Sequence, residues 1–307
     1  MALAVHSAGD VTRRQLMRTI PAHATGQLDD TALEPYGVIS ELARGGMSTV
    51  YLGEDRATGE RVAIKALDAF YVGRSDVVHR LLGELELAQR ARHPNLIEIR
   101  CADQTSQGVP YLVMEYLDGE SLRALSERLR LPHGTIVAIA AQVACAVAAL
   151  HDAGIIHCDI KPDNVFVLDD TAVTDRPRIK VIDYGVARSV GDPPLPDSAI
   201  AGTPAFMAPE QWRGAPAEAS DVYALGCLLY ELVCSRPVFS GSLPRLMTAH
   251  CDELPVRPAA ICAELDPAID RLVMRMLAKD AAMRPTMREI DATLSGFIAS
   301  DTIARSA

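Results

Sequence analysis

Residues 157–164, which read HCDIKPDN, constrain this chain more than any other segment. They bring a carboxylate, Asp159, a lysine, Lys161, and an amide, Asn164, into one short loop. The later VIDYG adds a second carboxylate, Asp183, at a predicted strand end. One short motif is weak evidence, but several others precede and follow this one in a consistent order. That order indicates a single built site.

The groups in this loop are those needed to set a hydroxyl against a metal-bound nucleoside triphosphate. Asp159 is the candidate catalytic base, which orients the acceptor hydroxyl and takes its proton. Lys161 can neutralise charge on the transferred group, while Asn164 and Asp183 offer the oxygen ligands that Mg²⁺ prefers. We assign no base role to His157, which we expect to pack beneath the loop and bond to backbone. The alternative, a turn that is merely rich in Asp, Pro and Asn, leaves this combination unexplained.

The segment ELARGGMSTVYL lies between two predicted strands and carries the paired glycines Gly45 and Gly46. Without a Cβ, these residues let backbone N–H groups approach phosphates closely. Val50 and Ala63 would then present apolar surface to a flat purine. The alternative is an ordinary hairpin turn, which is the more frequent use of paired glycines.

Lys65, in VAIK, lies on the third predicted strand. A lysine in such a position usually faces solvent, and it becomes a phosphate ligand only if a carboxylate holds it. Glu84 on the following helix is placed to do so. Glu86 is the competing candidate, but it lies on another face of that helix.

Hydrophobic periodicity divides the chain into a strand-rich part and a helical part. VISEL, TVYLGE and RVAIKAL are predicted strands, and LIEIR and PYLVMEY complete a five-stranded antiparallel sheet. Between them, VVHRLLGELELAQRAR is predicted to be a helix that Ser75 and Asp76 cap. After Gly119, short strands at VFVL and RIKVI interrupt helices predicted over 121–130, 135–153, 221–234, 243–250, 268–278 and 286–298.

The fold class is therefore α+β, with a small antiparallel β lobe that carries one main helix and a larger, mainly helical lobe. The predicted boundaries are a flexible arm at 1–34, a catalytic domain at 35–298 and a short tail at 299–307. Within the domain we place the small lobe at 35–114, a hinge at 115–119 and the large lobe at 120–298. A regulatory segment is the alternative for the arm.

The composition excludes several classes of protein. The net charge of −10 argues against a nucleic-acid-binding protein, which is usually basic. Seven cysteines without a CxxC pair suggest a reducing compartment and no structural zinc. The N-terminus lacks the basic start of a signal peptide, and the apolar run at 135–150 is shorter than the roughly 20 residues of a membrane span. We expect a cytoplasmic protein without a membrane span.

Taken together, these motifs resemble the protein kinase superfamily over residues 36–298. Residues 43–50 are similar to the glycine-rich loop of the family. Lys65 is similar to the lysine of its VAIK motif, and Glu84 is similar to its helix glutamate. HCDIKPDN resembles the catalytic loop, and DYG resembles the metal-binding motif. GTPAFMAPE, at 202–210, resembles the substrate-docking loop, and SDVYALG resembles the buried helix that anchors the catalytic loop.

The resemblance implies a bilobal protein kinase fold and roles for further residues. Met114 would guard the back of the adenine pocket. Among the docking and structural residues, Asp221 would anchor the catalytic loop, Thr203 would bond to the catalytic aspartate and lysine, and Arg284 would pair with Glu210. The residues implied to bind the nucleotide are Leu42, Ala43, Arg44, Gly45, Gly46, Met47, Ser48, Val50, Ala63, Lys65, Met114, Glu115, Tyr116 and Phe166.

The resemblance also implies an ATP-dependent protein serine/threonine kinase that uses Mg²⁺, with Mn²⁺ as an alternative metal. Lys161 and Thr203 are typical of serine/threonine kinases, and ARGGMSTVYLGED is similar to the bacterial eukaryotic-like (Hanks-type) members. The implied partners are ATP, proteins with Ser/Thr acceptors and a second copy of the chain in a transient homodimer for autophosphorylation. A pseudokinase-like nucleotide-binding scaffold and a small-molecule kinase of similar fold are the alternatives. The complete catalytic set argues against the first, while GTPAFMAPE and Arg284 argue against the second.

Four positions depart from the family pattern. Ala43 and Ser48 replace two glycines of the phosphate loop, and Tyr184 replaces the phenylalanine of D-F-G. Tyr184 can still pack, but its hydroxyl needs a partner. Cys158 stands where the family usually has an arginine that pairs with a phosphorylated activation-loop residue. We therefore expect activity that does not depend on a phosphate in the loop 187–201.

Overall fold

The computed structural model describes residues 33–169, 177–194 and 201–306, with side chains described up to residue 299. The chain divides into two compact units. Among the described residues, the first unit contains 33–90 and 97–117, and the second contains 91–96 and those from 118 onward. Of the predicted arm, 1–32 lie outside the described residues, and Leu33 is fully buried in the first unit. The packed core thus includes a residue that precedes the predicted domain start at 35.

The first unit is built on a five-stranded antiparallel sheet with the strand order β1-β2-β3-β5-β4. This confirms the sheet that the sequence predicted. The strands are β1 (Tyr36–Arg44), β2 (Ser48–Asp55), β3 (Arg61–Leu67), β4 (Ile99–Gln104) and β5 (Pro110–Glu115).

Successive side chains along the central strands point to opposite faces of the sheet, and the two faces differ in character. Tyr51, Ile64 and Val113 are cross-strand partners on one face, where they form a buried core with Leu33. Lys65 is one residue away from Ile64 and lies on the other face. The period of two therefore separates the apolar core from the face that carries the predicted site lysine.

Helix α1 (Ser75–Arg90) is the one long helix among the described residues of the first unit. It begins at Ser75, so Ser75 and Asp76 are its first two residues and not the caps that we predicted. Its buried side chains recur at helical spacing, which is the pattern of an amphipathic helix. They are Val77, Val78, Leu81, Leu82, Glu84 and Ala88.

The second unit is mainly helical, as predicted. The start of α5 precedes the predicted residue 221 because Ser220 accepts the Ala217 N–H and closes the first turn. Thr286 and Glu289 form a capping box at the start of α8, which continues through most of the predicted tail. The helices are α2 (Leu122–Arg128), α3 (His133–Asp152), α4 (Pro209–Trp212), α5 (Glu218–Cys234), α6 (Leu243–Asp252), α7 (Pro267–Met276) and α8 (Met287–Ser306).

Helix α3 is long and apolar enough to cross a membrane by length and composition alone. It is longer than the apolar run that the sequence suggested. However, 72% of its apolar window is buried inside the structure. It contacts α5, α8 and β9 of its own unit, which is the packing of a core helix.

Short strands in the second unit place the loops of the predicted site. They are β6 (Gly119–Ser121), β7 (Ile155–Ile156), β8 (Val165–Leu168), β9 (Ile179–Val181) and β10 (Arg188–Ser189). One sheet has the order β6-β8-β9, and β7 pairs with β10 in a second sheet. Gly119 has a positive φ of 149°, and a Cβ there would collide with the Val167 carbonyl oxygen. Only glycine allows β6 to approach β8 in this way.

A buried polar cluster joins α5 to α6. The Tyr223 hydroxyl lies 3.0 Å from His250 Nδ1, and His250 is fully buried. Lys279 donates to the carbonyl oxygens of His250 at 2.7 Å and Ala249 at 3.1 Å, with its Nζ 4.8 Å from the Phe239 ring centroid. Burial, together with the nearby Lys279 charge, lowers the pKa of His250 to about 4.

This cluster predicts a pH dependence of stability. Below pH 6.5 the unfolded chain protonates His250 while the folded chain does not, so the free energy of unfolding falls as the pH drops toward 4. The expected loss from this group is about 2 kcal/mol between pH 7 and pH 5. Urea unfolding at both pH values measures it.

His250→Gln should remove that part of the pH dependence, whereas His79→Gln, at an exposed position, should keep it. An unchanged difference between pH 7 and pH 5 in His250→Gln would contradict the assignment.

Candidate active site

A buried ion pair joins β3 to α1 in the first unit. The Lys65 Nζ lies 2.8 Å from each carboxylate oxygen of Glu84, and the two side chains are 16% and 5% exposed. This is the contact that the helical spacing predicted, because Glu84 is on the buried side of α1 and Glu86 is on the exposed side. Both charges lose hydration on burial, and their mutual attraction offsets part of that cost.

The turn between β1 and β2 places its two glycines differently. The Gly45 N–H donates to the carbonyl oxygen of Ser48 at 2.8 Å and closes the turn. The approach of backbone N–H groups to phosphates at this turn stays a prediction. A Cβ at Gly46 would meet nothing within 4 Å, so Gly46 lies at the open tip. Arg44 bonds to Glu41 at 2.6 Å, which directs this cation along β1.

The apolar residues predicted to contact a purine share the sheet face of Lys65. Val50 is the cross-strand partner of Lys65, and Ala63 is the cross-strand partner of Met114. Ala63 and Met114 are buried and Val50 is half-buried. The three side chains therefore lie side by side with the lysine on one surface of the sheet.

The remaining residues of the predicted nucleotide set are more dispersed. In the first unit, Leu42 and Met47 are 45% and 37% exposed, and the exposed Ala43 is the cross-strand partner of Val50. Ser48 is the cross-strand partner of Leu67, and Glu115 and Tyr116 lie at the end of β5. Phe166 lies on β8 of the second unit.

In the second unit, the catalytic loop is anchored from below by Asp221. This carboxylate on α5 is fully buried and accepts the backbone N–H groups of His157 at 2.9 Å and Cys158 at 2.8 Å. The His151 Nε2 lies 2.9 Å from the same carboxylate. Cys158 is held in a left-handed conformation, with φ 65°. Asp221 thus fixes the backbone just before Asp159, as the resemblance implied.

Asp159, Lys161, Thr203 and Asn164 form one hydrogen-bonded network. Asp159 accepts from Lys161 Nζ at 2.6 Å and from the Thr203 hydroxyl at 2.7 Å, through different oxygens. Lys161 also donates to the Thr203 oxygen at 2.7 Å. These are the contacts predicted for Thr203. They place one carboxylate and one ammonium group together, which suits a reaction that moves a proton and a phosphoryl group.

Strand pairing brings the two candidate metal ligands to the same edge. Asn164 comes directly before β8, and Asp183 follows β9, its antiparallel partner. The Ile182 N–H donates to the Asn164 carbonyl oxygen at 2.9 Å, which ties the two loops together. Asn164 donates its side-chain amide to Asp159, so its side-chain oxygen is the group left to accept a cation. An amide oxygen and the exposed carboxylate of Asp183 are suitable ligands for a hard divalent cation.

Asp183 has a φ of 71° and accepts the Gly185 N–H at 3.0 Å. Groups of three or more His, Cys, Asp or Glu side chains that could hold a metal are absent from the described residues.

His157 and Tyr184 lie beneath the loop. His157 is fully buried, and its Nδ1 accepts the Asp159 N–H at 3.3 Å, as expected for a packing role. Its ring centroid lies 6.0 Å from that of Tyr184. Burial raises the pKa of the Tyr184 phenol, and the described residues supply no hydrogen-bond partner for its hydroxyl. Tyr184 packs as predicted, but the partner that we expected is not among these residues.

Glu210 and Arg284 make the predicted pair, with contacts of 2.7 Å and 3.0 Å. Burial alone would raise the pKa of Glu210, but the Arg284 hydrogen bonds and charge, together with the Ser220 hydroxyl, outweigh it and lower that pKa. The carboxylate therefore stays paired and charged at neutral pH.

The sequence did not identify Gln211, which links the docking loop to the catalytic loop. Its amide donates to the carbonyl oxygens of Cys158 at 2.6 Å and Ala201 at 3.0 Å. Gly202, at φ 125°, makes room for it, since a Cβ there would lie 2.7 Å from the Gln211 amide nitrogen. The sequence signal that could have identified Gln211 was an amide residue directly after Glu210, next to the segment that resembles the docking loop.

Comparison with known families and proteins agrees with this geometry. Residues 36–293 match the protein kinase domain. The chain is 36% identical over 249 residues to serine/threonine-protein kinase Pkn1 of Myxococcus xanthus, which covers 80% of this chain and 35% of that protein. It is 36% identical over 281 residues to a probable serine/threonine-protein kinase of Streptomyces coelicolor, covering 87% and 41% of the two chains. It thus spans less than half the length of these relatives.

The buried ion pair predicts unequal effects for two neighbouring glutamates. Glu84→Gln takes the carboxylate charge away from the Lys65 ammonium, so the free energy of unfolding should fall by about 3 kcal/mol. Glu86→Gln, on the exposed side of the same helix, should change it by less than about 0.5 kcal/mol. Urea unfolding of the two variants measures this difference, and equal losses would contradict the pairing.

Proposed function

The chain belongs to the protein kinase family, and we propose that it is an active, ATP-dependent serine/threonine protein kinase. One observation carries the proposal: each unit retains its complete catalytic set with direct contacts between its members. These are the Lys65–Glu84 pair in the first unit and the Asp159–Lys161–Thr203 network in the second. The names of the relatives support the serine/threonine class.

In this proposal Asp159 orients the acceptor hydroxyl and takes its proton as the new bond forms. Thr203 and Lys161 hold the Asp159 carboxylate from two sides, so it stays in one orientation. Lys161 also neutralises charge that develops on the transferred phosphoryl oxygens. Positioning and charge compensation therefore account for most of the rate.

The first unit would supply the nucleotide-binding surface. Val50, Ala63 and Met114 offer an apolar face for the base, and the same face carries Lys65 for the phosphates. Glu84 keeps the Lys65 ammonium at a fixed position when no nucleotide is bound. The open tip at Gly46 is the part of the glycine turn that phosphate oxygens can approach.

A divalent cation, Mg²⁺ or Mn²⁺, would be held by Asn164 and Asp183, with phosphate and water oxygens completing its coordination. When bound, the cation would neutralise part of the negative charge on the phosphates. The donor set fits this role because both groups are oxygen ligands at the ends of paired strands. The substrates would be proteins with Ser or Thr acceptors, for which residues 202–210 resemble a docking loop.

The proposal predicts that the purified chain transfers label from γ-labelled ATP to itself or to casein, on Ser or Thr. Asp159→Asn removes the base and should lower the rate by about 100-fold or more. Lys65→Met should lower it by a similar factor because it removes the phosphate ligand. Phosphoamino-acid analysis and initial rates measure both effects.

Asp163→Asn is a matched control in the same loop, since Asp163 is exposed and pairs with Arg123 at 3.3 Å. It should keep the wild-type rate within about threefold. A wild-type chain that binds ATP but transfers no label would contradict the proposed activity and favour a nucleotide-binding scaffold.

A further inference from the structure

Residues 188–193 form a closed turn that begins in β10. The Ser189 N–H donates to the Asp192 carboxylate at 2.9 Å, and the Asp192 N–H donates back to the Ser189 carbonyl oxygen at 3.1 Å. Gly191, with φ 92°, provides the left-handed residue that this reversal requires. The turn is thus held by its own carboxylate.

This turn is attached to the strand that leads into the catalytic loop. Arg188 and Ser189 are antiparallel partners of Ile156 and Ile155. The Val190 N–H donates to the Gly154 carbonyl oxygen at 2.8 Å. Since β7 is followed directly by residues 157–159, the position of the turn is transmitted to Asp159 through the backbone.

The Arg188 side chain contacts two later residues of the turn, Asp192 and Pro193. Its Nε lies 3.8 Å from an Asp192 oxygen, and its Nη2 donates to the Pro193 carbonyl oxygen. The side chain is 14% exposed, and its buried Nη1 has no hydrogen-bond partner in the described part of the chain. A cation in such a place needs an anion nearby, and Asp192 is the carboxylate that the turn supplies.

Arg188 also acts on Cys158. Burial and the Asp221 charge raise the pKa of the Cys158 thiol, while the Arg188 charge opposes them. The thiol itself is buried and donates to the Ile156 carbonyl oxygen at 3.7 Å. The Cys158 thiol therefore stays neutral, and the Arg188 charge acts on it from the turn.

We infer that Arg188 and Asp192 are positioning residues for the catalytic loop: their ion pair holds the turn 188–193, and the β10–β7 pairing passes this order to Asp159. The inference rests on the proposed function, and it names the regulation of that site. It gives a structural basis for the expectation that activity does not depend on a phosphate when residue 158 is cysteine, because the turn carries a carboxylate of its own.

The test compares wild type with Asp192→Asn, Asp192→Glu, Arg188→Met and the double variant that combines Asp192→Asn with Arg188→Met. Glu264→Gln is a control at an exposed acidic residue. Casein phosphorylation gives kcat and the KM for ATP, and hydrogen exchange reports on residues 186–194, which include the Val190 amide. All proteins are measured before and after phosphatase treatment. Thermal unfolding shows that each variant is folded.

Asp192→Asn and Arg188→Met should each lower kcat by about five- to tenfold and leave the KM for ATP within about twofold, since positioning and not nucleotide binding is lost. Exchange in 186–194 should become faster, and the double variant should lose no more than either single variant because the two residues act as a pair. Asp192→Glu, which keeps the carboxylate, should retain most of the wild-type kcat that Asp192→Asn loses. Phosphatase treatment should change none of these values in wild type.

Wild-type kcat and exchange in Asp192→Asn would overturn the inference. So would additive losses in the double variant, or a wild-type rate that falls after phosphatase treatment. If wild type itself transfers no phosphoryl group, the proposed function fails, and the exchange measurement decides the role of the turn separately.

Discussion

The buried carboxylate of Asp221 is the constraint on which the rest of the candidate site depends. A carboxylate without solvent is tolerated only when hydrogen bonds replace its hydration. Here the replacing donors are the backbone N–H groups of His157 and Cys158. Because the buried Asp221 carboxylate needs these two hydrogen bonds, the backbone of the loop is held in one conformation, which includes the left-handed Cys158. Asp159 takes its place from that backbone.

The same principle recurs around the site. Gln211 satisfies the Cys158 carbonyl oxygen, Glu210 pairs with Arg284, and Lys65 pairs with Glu84. Each contact joins residues that are distant in sequence, and removing one partner takes a hydrogen bond or a compensating charge away from a group with little access to water. Such pairs add little net stability compared with apolar packing, but they allow few alternative arrangements. We infer that they serve to keep catalytic groups in one geometry.

Much of this arrangement could be predicted because it follows from local patterns. The period of two placed Lys65 on the face opposite Ile64, and the helical period separated Glu84 from Glu86. The resemblance to the kinase family implied the contacts of Thr203. The remaining features depend on long-range geometry that no local pattern contains. Gln211 bonds to the Cys158 carbonyl oxygen, which is 53 residues away in sequence. Strand β10 likewise pairs with β7, which comes before the catalytic loop.

One measurement tests the dependence of the site on Asp221 most directly: the phosphoryl-transfer rate of Asp221→Asn, per folded molecule, with folding followed by circular dichroism. Asparagine keeps the size of the side chain, but it replaces one acceptor oxygen with a donor that faces backbone N–H groups. The account predicts a folded protein whose rate is lower by at least about tenfold. A folded variant with the wild-type rate would show that the catalytic loop holds its geometry without this anchor, and it would contradict the account.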